Sequence, residues 1–245
     1  MFIEPPKAPW FVMGEYLPPP LALLCLAAYV EAHYPSVDIE VMDCQAEAAK
    51  WSEVEERIAT FSPDVVAPST VSTCNANITL QTVSIAKEVN KEIVTVAGSQ
   101  HFSVLAQEVL EAHSQLDLIV RGEGEVTFLE VLKVLDEGEP LNRVEGISFR
   151  DKSRVVHTPN RSVIRDLNSL PFPGYHFVRE HMSKYRFPAG PNLPYALVEG
   201  SRGCVHSCSF CSQWRYWGSC RRKSPERVAD EFEYLYREFG SRFLW

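Results

Sequence analysis

The chain has 245 residues, of which 45% are hydrophobic and 23% charged, with a formal net charge of −8 and a pI of about 5.4. This composition is ordinary for a soluble globular protein, and the acidic balance argues against nucleic-acid binding through a general basic field. The most apolar stretch, residues 21–30, is too short to span a bilayer and no secretory signal is present, so we expect a cytoplasmic protein with reduced thiols.

Strand and helix patterns alternate along the first 140 residues. Strands are predicted at residues 2–4, 37–42, 64–67, 93–97 and 118–120. Helices are predicted at residues 21–33, 52–61, 78–89, 104–112 and 125–135, the second opening on a capping box formed by Ser52 and Glu55. Five βα units in succession predict an α/β fold, a Rossmann-like (flavodoxin-like) parallel sheet over residues 1–140.

Three loops after predicted strands contain the candidate binding residues, because ligands of such sheets bind at the carboxyl ends of the strands. Small residues there let a large flat ligand approach the backbone. The candidates are Ser69, Thr70, Val71, Ser72 and Thr73 after the third strand, Gly98, Ser99, Gln100 and His101 after the fourth, and Gly122, Glu123, Gly124 and Glu125 after the fifth. His101 could instead cap backbone groups, and the two glutamates could simply favour a helix N-terminus.

Residues 141–194 are predicted to connect this domain to a second one. Residues 144–149 and 155–158 have the pattern of a hairpin that turns at residues 151–153. Residues 167–194 are rich in proline and aromatic residues and are predicted to pack across the two domains. There Tyr175, His176 and Phe177 would cover apolar surface or, as the alternative, line a cofactor face.

Three cysteines follow a short predicted strand at residues 195–199. Cys204, Cys208 and Cys211 have the spacing C-x3-C-x2-C, and three thiolates this close on one loop indicate a soft metal centre. A zinc site would need a fourth ligand, which Cys220 or His206 could supply. A [4Fe-4S] cluster would keep one iron free, and the spacing favours it because zinc loops more often use paired C-x2-C hooks. Unrelated thiols are the third alternative.

A helix and another strand are predicted beyond the cysteines. Ser224 is the expected N-cap and Pro225 the first helical residue, and the strand covers residues 243–245. A basic run follows the cysteine loop and comprises Arg215, Arg221, Arg222 and Lys223. It is either a solvated surface or a charge balance near an anionic cluster or substrate.

The cysteine loop, with Phe210 just before Cys211, resembles the signature of the radical S-adenosylmethionine (SAM) enzymes. The resemblance implies that the free iron chelates SAM and that one electron cleaves SAM to a 5′-deoxyadenosyl radical, which abstracts hydrogen from a substrate carbon. It also implies that the backbone around Phe210 lies near SAM, and that a reductant such as flavodoxin or ferredoxin supplies the electron to a small-molecule reaction.

The order of the N-terminal motifs is similar to that of the cobalamin (B12)-binding domain found in many radical SAM enzymes. These motifs are Pro19-Pro20-Leu21, the Ser/Thr loop, Gly98-Ser99-Gln100-His101 and Arg121-Gly122-Glu123-Gly124-Glu125. Residues 4–10 contain no Asp-x-His-x-x-Gly motif, so histidine ligation of cobalt is not expected. The resemblance implies radical methyl transfer or an oxidative cyclisation of the anaerobic magnesium-protoporphyrin monomethyl ester cyclase type.

Residues 195–245 hold one βα unit and the start of a second, whereas the resemblance implies a barrel of about six such units, and full (β/α)8 barrels run to about 250 residues. We therefore expect the N-terminal portion of such an enzyme, with little turnover by itself. The rival hypotheses are a B12 domain that serves only as a scaffold and a non-catalytic, zinc-stabilised binding module. A nucleotide-binding domain is less favoured because no G-x-G-x-x-G follows a strand.

Overall fold

A seven-stranded, mostly parallel sheet forms the centre of the protein. The computed structural model describes residues 1–7, 16–69, 73–152, 154–187 and 193–244, so the predicted candidates Thr70, Val71 and Ser72 lie outside the described residues. The strands of the sheet are β1 (Phe2–Glu4), β2 (Val41–Asp43), β3 (Val65–Pro68), β4 (Val94–Ala97), β5 (Leu118–Val120), β6 (Ile147–Asp151) and β7 (Arg154–His157). Their order across the sheet is β2-β1-β3-β4-β5-β6-β7.

Strands β1 to β5 are parallel, and their order is that of the flavodoxin-like doubly wound sheets. The connecting helices are α1 (Leu21–His33), α2 (Cys44–Glu47), α3 (Trp51–Phe61), α4 (Ala76–Val89), α5 (Ser99–Val104), α6 (Ala106–Ala112) and α7 (Glu125–Asp136). Phe2 packs with α1, whereas its neighbour Ile3 packs with α3 and α4. Because successive strand residues face opposite sides, helices cover both faces, and the predicted α/β class is confirmed.

Three predicted local features are wrong. The predicted loop Gly98–His101 is largely helical: Gly98 has extended backbone (φ −150°, ψ −154°), and helix α5 begins at the next residue. Leu105 leaves helical geometry and separates α5 from α6, so residues 104–112 are not one helix. Helix α3 begins at Trp51, which packs against the core, so the carboxylate that caps it is Glu53, which accepts from the Lys50 amide at 2.8 Å.

The hairpin predicted in the connection belongs to the sheet. Strand β6 pairs antiparallel with β5, and β7 pairs antiparallel with β6. The chain then crosses α1, where the Gly174 amide donates to the Leu24 carbonyl at 3.0 Å. The fully buried Tyr175 exchanges two hydrogen bonds with the backbone of Leu197, at 2.8 and 2.9 Å, which fixes the second region against the first.

The second region contains β8 (Tyr195–Ala196), β9 (Ser201–Arg202), α8 (Gln213–Trp217), β10 (Arg221–Arg222), α9 (Pro225–Phe239) and β11 (Phe243–Leu244). The Ser224 hydroxyl accepts from the Arg227 amide at 3.1 Å, so the predicted cap of α9 is confirmed. Strand β11 pairs parallel with β8 across that helix, as expected of a βαβ unit. Among the described helices, none has the length and apolar character needed to cross a bilayer.

Candidate functional site

A cavity of about 300 Å³ lies at the carboxyl edge of β3, β4 and β5. Helix α1 forms one wall, and the second region contributes the remaining side. Most of its lining is apolar: Leu21, Ala22, Leu23, Cys25, Leu26, Ala67, Pro68, Val96, Ala97, Val120, Phe128 and Trp217. An apolar pocket with few polar groups at this edge of a doubly wound sheet is the usual form of a cofactor site.

Most of the described candidates from the sequence line this cavity. They are Ser69, Gly98, Ser99, Gln100, Gly122, Glu123, Gly124 and Glu125. Within the part of the chain that the structure describes, Thr73 and His101 are not among the lining residues. Thr73 begins a short 3₁₀ turn, and the His101 ring lies edge-on against Phe102 with centroids 5.1 Å apart.

Gly98 and Ser99 form part of the cavity wall. A Cβ at Gly98 would make only an ordinary contact, 3.6 Å from the Val120 carbonyl oxygen, and glycine leaves this stretch of backbone uncovered. Ser99 adopts a left-handed backbone conformation (φ 72°), which is costly for a residue with a side chain. Its buried hydroxyl has no hydrogen-bond partner among the described residues, which is consistent with a group reserved for a ligand.

The two cavity glutamates are held by arginines of the second region. The Arg202 guanidinium donates to Glu125 Oε1 at 2.6 Å, to Glu123 Oε1 at 3.1 Å and to Glu199 Oε2 at 2.7 Å. Burial by itself would lower the pKa of Arg202, but the charges of Glu125 and Glu199 raise this pKa above its ordinary value. The guanidinium therefore stays charged, and the carboxylates of Glu123 and Glu125 face a fixed cation rather than open space.

Helix α8 closes the cavity on the side of the second region. The Tyr216 hydroxyl donates to the Gly122 carbonyl at 2.9 Å, and burial raises the pKa of this phenol. Arg202 lies over the Trp217 ring, 5.6 Å from its centroid. The Cys25 thiol lines the opposite wall, and burial raises its pKa, so it remains a neutral, apolar contact.

The cysteine loop is held at its base but open along its length. Cys204 and Cys211 are half-buried and Cys208 is exposed. The Cys204 amide donates to the Gly218 carbonyl at 3.3 Å, and the Cys211 amide donates to the Cys208 carbonyl at 3.1 Å. Across the described ranges, no three His, Cys, Asp or Glu side chains are grouped closely enough to hold a metal ion.

Three unpaired thiols on one accessible loop nevertheless have the donor chemistry of a soft metal site. Such sites are commonly completed only when the metal binds, since ligation and local folding are coupled. The three cysteines therefore supply the right type of donor atom for a metal cluster. Their sulfur atoms do not converge on one point in this structure. The Phe210 side chain is 91% exposed. This exposure does not test the predicted position of the Phe210 backbone near SAM, which stays a prediction.

Sequence reasoning missed Arg202, Tyr216 and Trp217 as parts of the cavity wall, whereas Arg221 belongs to the basic run for which charge balance was one of the two interpretations. Arg202 stands two residues before Cys204, and that position was the available signal. Two members of the basic run, Arg221 and Lys223, lie in largely buried ion pairs, whereas Arg222 is exposed. Arg221 binds both carboxylate oxygens of Glu123 at 2.9 Å, and Lys223 binds Glu231 at 2.7 Å.

Comparison with known proteins assigns the first region. Residues 13–132 match the family described as the B12 binding domain. An uncharacterized methyltransferase of Pyrococcus horikoshii is 33% identical over 91% of this chain and 47% of its own length. The anaerobic magnesium-protoporphyrin IX monomethyl ester cyclase of Rubrivivax gelatinosus is 34% identical over 92% of this chain and 40% of its own.

A solved structure shares the fold over almost the whole chain. The cobalamin-dependent S-adenosylmethionine radical enzyme OxsB, with aqua-cobalamin and S-adenosylmethionine bound, superposes with a TM-score of 0.78 at 21% identity. The match covers 98% of this chain and 32% of that protein. The chain thus spans less than half the length of each of these relatives.

Proposed function

We propose, from the premise that this chain belongs to the cobalamin-binding radical SAM family, that it holds cobalamin in the cavity and a [4Fe-4S] cluster on the cysteine loop. The reaction served is radical methyl transfer or oxidative cyclisation on a small-molecule substrate. Relatives of the two kinds are equally similar to the chain, at 33% and 34% identity, so identity favours neither.

One observation carries this proposal. The cavity at the sheet edge is completed by Arg202, Tyr216 and Trp217, which come from the region that contains the cysteine loop. The carboxyl edge of the sheet and the cysteine loop therefore both contribute residues to the wall of this cavity. Two cofactors that act in sequence on one substrate need such proximity, because positioning of reacting groups supplies much of a rate enhancement.

Each group of residues has a distinct task in the proposed site. Gly98 and Gly122 leave room for the plane of a macrocycle, and Ser99 offers its unpartnered hydroxyl. Cys204, Cys208 and Cys211 would hold the cluster. When bound, these cofactors supply an electron for SAM cleavage and a carrier for a methyl group. The apolar lining and the ring of Trp217 exclude water from the space where that chemistry occurs.

The remaining expectations are part of the same proposal. SAM would bind at the iron that no cysteine ligates, near the backbone of Phe210. A one-electron reductant such as flavodoxin or ferredoxin would reduce the cluster in the cytoplasm. No nucleic-acid partner is proposed, because the net charge of −8 gives no general attraction for a polyanion.

The test is the metal and cofactor content of the chain expressed and purified without oxygen and supplied with hydroxocobalamin. Several irons with matching sulfide, together with cobalt, would support the proposal. One zinc and no iron would contradict it and favour the zinc-stabilised module. Iron without cobalt, even after titration with hydroxocobalamin, would favour a B12 domain that serves only as a scaffold.

A further inference from the structure

The two ends of the cysteine loop lie side by side and form a neck, in addition to the contact that Tyr216 of α8 makes with Gly122. Strand β9 precedes the loop and strand β10 follows it, and these strands pair antiparallel with Arg202 opposite Arg221. The two sides nearly touch: a Cβ at Gly203 would come within 2.2 Å of the Ser219 carbonyl oxygen. Residues 203–220 therefore form a closed loop whose two ends each carry an arginine.

Both of these arginines bind one carboxylate of the first region. Glu123 accepts from Arg202 Nη1 at 3.1 Å and, through both of its oxygens, from Arg221 Nη1 at 2.9 Å. All three side chains are at most 9% exposed. Glu123 also accepts from the Ile164 amide at 2.6 Å, and Arg221 donates to the Trp217 carbonyl at 2.7 Å. The neck of the loop is thus clamped to the segment that follows β5.

Stability alone does not explain this arrangement. Burying several charges costs solvation free energy that ion pairing often does not recover, and apolar residues of similar volume commonly serve as well. These ion pairs instead fix the position of the neck relative to Glu123. Glu123 and Arg202 both line the cavity, so a ligand there contacts the same side chains that fix the neck of the cysteine loop. The two places therefore share the side chains of Glu123 and Arg202.

We infer that Arg202 and Arg221 are positioning residues that link the two sites, so that metal on the cysteine loop and cobalamin in the cavity strengthen each other's binding. This inference rests on the proposed function. Linkage is reciprocal: if the loaded loop tightens cobalamin binding by some factor, bound cobalamin tightens metal binding by the same factor. Arg221 is the cleaner residue to change, because it does not line the cavity, and Glu123 keeps Arg202 and Ile164 as partners without it.

The experiment measures the dissociation constant of hydroxocobalamin by absorbance titration, on metal-free chain and on chain reconstituted with iron and sulfide. In the unchanged protein we expect reconstitution to tighten binding at least about five-fold, the lower end of typical coupling. In Arg221→Met the two dissociation constants should agree within about two-fold. Arg221→Lys should show intermediate coupling, because lysine keeps the positive charge but lacks the forked guanidinium donors. Glu130→Gln, which removes the ion pair with Arg161 elsewhere on α7, is the matched control and should keep full coupling.

Three results would overturn the inference. Equal affinities in the unchanged protein with and without metal would show that the sites are independent, even though both cofactors bind. Full coupling in a folded Arg221→Met would show that the clamp does not transmit it; if that variant melts early, Arg221→Lys decides the question. Failure of the unchanged protein to bind cobalamin at all would instead reject the proposed function, and the linkage with it.

Discussion

The cavity and the cysteine loop, the two proposed cofactor sites, are preorganised to different degrees. The cavity is built from strand ends and helix starts, and its lining side chains are packed or paired, apart from the Ser99 hydroxyl, which has no partner among the described residues. The cysteine loop has fixed ends and an open middle, with Cys208 exposed and no metal-holding group among the described residues.

The difference follows from the kind of bond that each ligand makes. A large organic cofactor binds by shape and by many weak contacts, so its site must exist beforehand to limit the entropy lost on binding. Metal–thiolate bonds are strong enough to order the residues that make them. The four predictions below test this contrast, from the largest expected effect to the smallest.

Cys208→Ala should abolish iron retention and leave cobalamin bound in the cavity with the weaker affinity of the metal-free protein. A cluster held by three thiolates cannot lose one and remain, whereas the cavity lining does not include this residue. Iron content and a cobalamin titration measure the two outcomes. Cys220→Ala is the control, because loss of metal in that variant would identify a fourth ligand and so a zinc site.

Lys223→Met should destabilise the protein by about 3–5 kcal/mol, because it leaves the buried carboxylate of Glu231 without its cation. Lys223 directly follows the neck of the loop and Glu231 lies on α9, so this pair supports the fixed base of the loop. The double variant with Glu231→Leu should recover most of the loss. Denaturant unfolding measures the free energy of unfolding of the single and the double variant. An unchanged free energy of unfolding in Lys223→Met would contradict a rigid base of the loop.

Gly203→Ala should destabilise the protein by more than the roughly 1–2 kcal/mol of a left-handed backbone alone. Gly203 has φ 93°, and the added Cβ would also displace the Ser219 carbonyl from the neck. Iron loading should fall, and cobalamin should still bind, with an affinity closer to that of the metal-free protein. Gly138→Ala is matched, since Gly138 has φ 67° with nothing within 4 Å, and should show the conformational cost only.

Ser99→Gly should stabilise the cofactor-free protein by about 1 kcal/mol, because it relieves the left-handed conformation and removes an unpartnered buried hydroxyl. If that hydroxyl binds the ligand, Ser99→Gly and Ser99→Ala should each weaken hydroxocobalamin binding by roughly ten-fold. Thermal melting and titration separate the two effects. Unchanged affinity in both variants would leave the hydroxyl without a role in binding.

Local sequence patterns were enough to predict the βα units of the first region and the cap of α9. Alternation of apolar strands with helices depends on near neighbours, and Ser224 with Pro225 is a short-range signal. Patterns failed where packing competed with local signals. The core contact of Trp51 fixed the start of α3, and the chain entered α5 directly at Ser99, where a loop was predicted.

The sequence by itself determined the order of the elements, the three-cysteine spacing and most of the residues around the cavity, because each depends on a periodicity or on a few adjacent positions. Only the tertiary structure decided what Glu123 and Glu125 bind. Their partners, Arg202 and Arg221, lie 77 to 98 residues away along the chain. A carboxylate at a strand end can serve a ligand, a helix dipole or a distant cation, and only folding selects which of these comes within reach.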